Sequence, residues 1–130
     1  MLNVSSFHDV GTIINPLAHQ GQIEGGMVQG LGFALLENLP AHEGRIIAAN
    51  LGEYKIPSIG DTPALETINV HDSSGPGPFQ SKPIGENTTT PTAAAIGNAV
   101  YDAIGVQIRN LPITSEKIYF ALRNGDFQSE

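Results

Sequence analysis

The chain has 130 residues, 40% hydrophobic and 15% charged, which suffices for one globular core and little more. Its 13 acidic and 6 basic side chains leave a net charge of −7, which works against the phosphate neutralisation of nucleic-acid binding and against attraction to anionic membranes, so small molecules and other proteins are the expected partners. With no cysteine, disulfides, thiolate metal sites, iron-sulfur ligation and a cysteine nucleophile are excluded within the chain, and redox chemistry has to borrow its cofactors.

Met1 to Val10 lacks the basic and apolar regions of a leader, and no run approaches the roughly 20 apolar residues of a membrane span, which makes a soluble, cytoplasmic protein the expectation. Val4, Val10, Ile13 and Ile14 surround His8, Asp9 and Gly11, a β-prone stretch with a turn that closes at Asn15-Pro16. Residues 1–8 are expected to fray, although Leu2 to Asn15 also reads as the strand and turn of a chain that starts inside a fold. From about Gln20 to Asn38, Ile23, Met27, Leu31 and Leu35 recur at fourfold spacing, the pattern of one helix face. Gly21, Gly25, Gly26, Gly30 and Gly32 oppose that helix, each by about 1 kcal/mol relative to alanine. Tertiary packing has to override propensity here, and the glycines imply a second backbone close by.

Arg45 to Ala49 and Leu65 to His71 read as strands. Asp72 to Pro91 is a loop rich in glycine, proline, serine and threonine, with Gly75, Pro76, Gly77 and Pro78 opposing regular structure. Thr90-Pro91 has the chemistry of a helix entrance, and Ile96, Val100 and Ile104 carry the helix over 91–104 to Gly105. Thr114 can cap a last helix through Ile118 and Leu122 that ends near Asn124-Gly125, with 124–130 frayed. Sheet together with unevenly distributed helices predicts a single α+β domain over 1–130, a mixed sheet with three helices.

His8, His19, His42 and His71 lack metal-ligand spacing, no serine stands in a nucleophile elbow, and the glycines of 21–32 lack the Lys-Ser or Lys-Thr ending of a phosphate loop. Two stretches keep functional content. In GQIEGGMVQGLG, residues 21 to 32, Gln22, Glu24 and Gln29 lie on or near a helix that a backbone or a flat ligand can approach; tight helix packing explains the glycines equally well, but a glutamine at a helix start can aim a donor and an acceptor at a polar cofactor. In SKPIGENTTTPTAAA, residues 81 to 95, a lone carboxylate, Glu86, follows Gly85 on a loop between a rigid proline and a helix. Most lone glutamates are solvated surface groups, but one held in this way can serve as a general base.

DVGTIINP at 9 to 16, GQIEGGMVQGLG at 21 to 32, EYKIP at 53 to 57, SKPIGEN at 81 to 87 and AAAIGNAVYDAIG at 93 to 105, in that order and spacing, resemble the C-terminal portion of the molybdopterin-binding catalytic subunit of the xanthine dehydrogenase and aldehyde oxidase family, the molybdenum hydroxylases. The resemblance covers about Asp9 to Leu122. It implies that the α+β fold is part of the family's molybdopterin-binding domain. It also implies a molybdenum-molybdopterin cofactor shared with segments outside this sequence and bound without any protein ligand to the metal, and iron-sulfur clusters and FAD on partner domains or subunits. The chain is then a component of an oxidoreductase that hydroxylates a small heterocycle, purine or aldehyde with water-derived oxygen.

By the same resemblance Glu86, after Gly85, is the base that takes the proton from the metal's hydroxide, and Gln22, after Gly21, is the amide that contacts the pterin, with Lys82 and Gly85 also on the cofactor side. Pro83 stands where many relatives have glycine or alanine, and NTTTP after the loop is closer to bacterial purine, nicotinate and carbon monoxide enzymes than to animal xanthine enzymes. The upstream cofactor segments and the residues that read the substrate ring are absent, so the chain alone is expected to be inactive, to need a second molybdopterin-binding segment or subunit, and to self-associate through faces made for that partner. A second reading, a non-catalytic interaction module that only packs against partner subunits, fits nearly the same sequence; the Gly85-Glu86 pair favours the first.

Overall fold

A computed structural model describes residues 1–72 and 74–124. In chain order these form β1 (Asn3–Asp9), α1 (Pro16–Leu35), β2 (Ala41–His42), β3 (Arg45–Ile46), β4 (Ala64–Val70), α2 (Thr89–Ile104) and α3 (Ser115–Asn124). The expected α+β composition with three helices is present, and the strands expected in a mixed sheet are divided between two separate two-stranded sheets, one parallel and one antiparallel. β1 and β4 run parallel in the register Asn3↔Ala64 to Asp9↔Val70, and β2 and β3 form a short antiparallel hairpin. No helix among the described residues is long and apolar enough to cross a membrane.

Residues 3–8, expected to fray, instead lie in β1, because pairing with β4 satisfies their backbone groups. The ending expected at 124–130 lies mostly outside the described residues. α1 starts earlier than its apolar periodicity indicates: Asn15 is the N-cap, its side chain accepting from the Ala18 N–H at 3.1 Å, and Pro16 is the first helical residue. The pair Asn15-Pro16, read above as the close of a loop, is the opening of the helix.

Ile23, Met27, Leu31 and Ala34 bury one side of α1, and Leu31 and Ala34 meet Ile96 of α2. Between the helices the spacing is set by glycine. A methyl at Gly26 would overlap the Thr88 hydroxyl, and one at Gly30 would lie 2.6 Å from Thr92 Cβ and 3.0 Å from the Thr89 carbonyl. Gly32 faces Glu37 and Pro57, whereas nothing lies within 4 Å of a methyl at Gly21 or Gly25. The close approach implied by the sequence is therefore confined to Gly26, Gly30 and Gly32, and Gly25 faces open space.

α2 is entered through a 3-10 turn over Glu86–Thr88, so the helical path begins before Thr90-Pro91. Thr90, the expected cap, is an exposed residue inside α2, and the two threonines before it turn towards α1: the Thr89 hydroxyl lies 3.3 Å from the Gly26 carbonyl, and Thr88 is buried against Gly26. Gly105 closes α2 in a left-handed conformation, φ 70°, which only glycine adopts at no steric cost. The chain then returns to α1, where the Ile113 N–H donates to the Ala34 carbonyl at 2.6 Å, and Thr114 caps α3 as expected by accepting from the Lys117 N–H.

Gly26→Ala and Gly30→Ala should each lower the unfolding free energy of the chain by about 1–3 kcal/mol through overpacking. Gly25→Ala, on the open side, should leave it unchanged or raise it by up to about 1 kcal/mol. Urea titration of the three variants checks this, and equal effects at all three positions would contradict the packing described.

Candidate functional site

The loop that carries Glu86 is fastened at the carboxyl ends of β1 and β4. Lys82 sends its ammonium to Asp9, which ends β1, at 2.5 Å, and to Asp72, just beyond β4, at 3.3 Å. Its backbone N–H donates to the Val10 carbonyl at 3.0 Å, and the Thr12 N–H donates to the Gln80 carbonyl at 3.2 Å. Gly11, at φ 60°, pairs with Ser81 as an isolated bridge, and a side chain there would strike the Gln80 carbonyl. Asp9 also accepts from the Gly11 N–H at 3.3 Å. The DVG of residues 9 to 11 is thus the fitting that receives the SK of residues 81 and 82.

The carboxylates beside Lys82 hold its ammonium above the ordinary lysine value, the Asp9 hydrogen bond contributing most. The carboxyl of Asp72 is held below the usual carboxylate range, first by the Ser74 hydroxyl and then by Lys82. Upstream of Lys82 the chain makes an unusual bend, with Phe79 at φ 57° and Gln80 at φ 64°, and Phe79 is 81% exposed. Two consecutive left-handed residues that are not glycine store strain, which the bonds around Gly11 and Lys82 hold in place.

From this anchor the loop runs beside α1. Ser81, Lys82 and Ile84 share a cleft of about 260 Å³ with Thr12, Asn15, His19 and Gln22. Glu86, which is exposed, accepts a hydrogen bond from the Gln29 amide at 3.2 Å. Seven residues are close to two helical turns, so Gln22 and Gln29 project from one face of α1, about 10 Å apart along its axis. Gly21 and Gly25 keep the surface beside them low.

The sequence-derived residues are therefore brought together along one side of α1, in two stations. Gln22 and Lys82 are at the cleft, and Glu86 is at the level of Gln29, with Gly21 and Gly85 open around them. Lys82 contributes its stem and backbone to the cleft while its charge is committed to Asp9 and Asp72. The Gly85 N–H is taken by the Asn87 side chain at 3.1 Å. In the sequence Gln29 is only a polar residue on a glycine-rich helix. Its sevenfold spacing from Gln22 was the available signal that both share a face, but nothing in the sequence pointed it at Glu86.

His19 is buried and shares a hydrogen bond of 3.0 Å with the Asn69 amide oxygen, a structural use that its neighbours in the sequence did not reveal. His8 is half-buried with Nε2 unpartnered, and burial, followed by the nearby His19, holds its pKa below the ordinary 6.5. No group of three His, Cys, Asp or Glu side chains that could hold a metal ion occurs among the described residues. The polar side chains at the cleft are the amides of Asn15 and Gln22, the hydroxyls of Thr12 and Ser81, the His19 ring and Lys82, of which Asn15, His19 and Lys82 are engaged by Ala18, Asn69 and the two aspartates. Such donors suit the polar edge of an organic cofactor, and the open space over Gly21 and Gly25 leaves room for one to approach.

Residues 1–63 match the family model described as a molybdopterin cofactor-binding domain. The xanthine dehydrogenase molybdenum-binding subunit of Escherichia coli O157:H7 is 42% identical over 121 residues, which take in 92% of this chain and 16% of that protein. Among solved structures, the aldehyde oxidoreductase from Desulfovibrio gigas superposes with a TM-score of 0.83 at 37% identity, over 92% of this chain and 13% of that one. Quinoline 2-oxidoreductase from Pseudomonas putida 86 gives 0.83 at 30% identity, over 94% and 16%. The chain thus corresponds to a short segment of the proteins it resembles.

The titrating groups around β1 predict a pH profile of stability. The His8 pKa is depressed on folding, so as pH falls through about 6.5 the unfolded chain takes up a proton that the folded chain resists, and stability declines. Asp72 adds stability that is present above the ordinary carboxylate value of about 3.9 and is lost as pH falls through its lower folded value. Lys82 adds stability that is present below about 10.4 and is lost as pH rises through its higher folded value. Thermal unfolding should accordingly be most resistant between about pH 7 and pH 10. His8→Leu should remove the decline near pH 6.5 and leave the one below pH 4, and an unchanged profile in that variant would contradict the assignment.

Proposed function

This chain belongs to the xanthine dehydrogenase and aldehyde oxidase family of molybdenum hydroxylases, and on that premise we propose that it supplies one wall of a molybdopterin site together with the general base, Glu86. The observation that carries the proposal is the placement of Glu86: a carboxylate on a loop anchored at Gly11 and Lys82, held by a hydrogen bond from Gln29, on the side of α1 that also presents Gln22. A segment that served only to pack against partners has no use for a carboxylate held in that way.

The cofactor, when bound, supplies the two-electron oxidation and acidifies the water-derived oxygen that is delivered to an electron-poor carbon of the substrate. The residues of this chain have three tasks around it. Gln22 hydrogen-bonds the polar edge of the pterin through its amide, which can donate and accept at once. Gly21, Gly85 and the stem of Lys82 shape the surface on which the cofactor lies. Glu86 would accept at its carboxylate the proton released by the reacting oxygen, which requires hydrogen-bond reach of that oxygen, about 3 Å.

The substrate class proposed is a small heterocycle, purine or aldehyde. The remaining walls of the site come from the rest of the molybdenum-binding subunit, and iron-sulfur and flavin groups on partner domains or subunits take the electrons onward. The exposure of large apolar side chains supports extensive contacts of this kind: Leu2 is 92% exposed, Leu17 84% and Ile59 97%. Taken alone, the chain is expected to be inactive and prone to self-association.

In the assembled enzyme, Glu86→Gln preserves the size of the side chain and removes the base, so turnover should fall by roughly 10² to 10⁴ with molybdenum content near normal. Gln22→Ala should act differently, weakening cofactor retention while the enzyme that remains loaded keeps base catalysis. Steady-state kinetics beside metal analysis separate the two. More than about a tenth of wild-type turnover in Glu86→Gln would lie well outside the range of a lost general base and would end the assignment.

A further inference from the structure

We propose that Gln29 is a positioning residue that fixes the orientation of the Glu86 carboxylate, an inference that rests on the reading of Glu86 as the base. Glu86 lies at the start of the 3-10 turn leading into α2 and is exposed, so its backbone leaves the side chain several rotamers to choose from. Its carboxylate meets the Gln29 amide, where Nε2 donates to Oε1 at 3.2 Å. A carboxylate only accepts, so the NH2 end of the amide has to face Glu86. The other end of the amide lies near the Thr89 hydroxyl, whose single hydrogen is shared between the Gly26 carbonyl at 3.3 Å and Gln29 Oε1 at 3.4 Å.

The amide is therefore oriented by the Glu86 carboxylate, with the Thr89 hydroxyl beside its oxygen end, and the glycine at position 26 keeps Thr88 and Thr89 close enough to α1 for that contact. The bond to Oε1 leaves Oε2 without a protein partner among the described residues and turned away from Gln29. Gln29 is half-buried, while Glu86 is exposed, so the less mobile partner sets the position of the more mobile one. The chain from Gly26 through Thr89 and Gln29 to Glu86 gives the close packing of α1 and α2 a direct consequence at the reacting carboxylate.

The contact itself is tested in the 130-residue chain, without cofactor or turnover, by the two side-chain N–H signals of Gln29 in ¹⁵N NMR spectra. They should move in Glu86→Gln, and unmoved signals would overturn the inference. Its consequence is tested in the assembled enzyme with Gln29→Met, which keeps the length of the side chain and removes the donor. We expect kcat to fall by roughly 10- to 100-fold, the scale of a misplaced catalytic group, with KM within about twofold and molybdenum content unchanged.

The same substitution made in a Glu86→Gln background should cause little further loss, because Gln29 acts through Glu86. Wild-type kcat in Gln29→Met, a matching rise in KM, or an undiminished effect in the Glu86→Gln background would each overturn the positioning role. High activity in Glu86→Gln alone would instead overturn the base assignment while leaving the NMR contact intact, so the two failures are distinguishable.

Discussion

Lys82 lies between two carboxylates from different strands, Asp9 at the end of β1 and Asp72 beyond β4, and the remainder of the candidate site is placed relative to that contact. Parallel strands β1 and β4 bring the two acids to the same end of the sheet, and a single ammonium then ties the loop to both. The backbone follows the charge: Lys82 N–H to Val10, Thr12 N–H to Gln80, and Gly11 opposite Ser81. An exposed ion pair alone would fix little. Here it closes a set of backbone bonds around a glycine whose conformation and clearance no other residue reproduces, and this combination gives the loop one path towards α1.

At its other end the loop is fixed by close packing. Gly26 and Gly30 let α2 and the turn before it approach α1 until the Thr89 hydroxyl reaches the Gly26 carbonyl and the edge of the Gln29 amide. Glu86 lies between these two restraints, four residues after the ion pair and two before the buried Thr88. Rigid support on both sides of a short segment suits the base role proposed for Glu86, since a displacement on the order of 1 Å can reduce a rate about a hundredfold. The glycines that lower helix propensity in α1 therefore serve the placement of a side chain more than 50 residues away in sequence.

Much of this was legible from the residues. The apolar periodicity of Ile23, Met27 and Leu31 marked α1 in spite of its glycines, and those glycines pointed to a close neighbour, which is α2 and its entrance. Five motifs in order carried the family. What the sequence concealed was long-range. Neither β1 nor β4 names its partner, because strand pairing depends on which faces a tertiary fold buries. The acid pair around Lys82 joins residues 9, 72 and 82, and the Gln29 to Glu86 bond spans 57 positions, distances over which periodicity gives no information. Local departures had local causes: Asn15-Pro16 carries the chemistry of a cap and opens α1, and Thr89 bonds across to the Gly26 carbonyl instead of capping α2.

The most direct test of the account is the structure of the assembled, cofactor-loaded molybdenum-binding subunit containing this segment. The account predicts that Glu86 lies with its carboxylate about 3 Å from the oxygen that reacts, still accepting from Gln29, and that the Gln22 amide is hydrogen-bonded to the organic part of the cofactor. A Glu86 side chain turned to solvent or buried in a subunit contact, with the cofactor bound elsewhere, would contradict it.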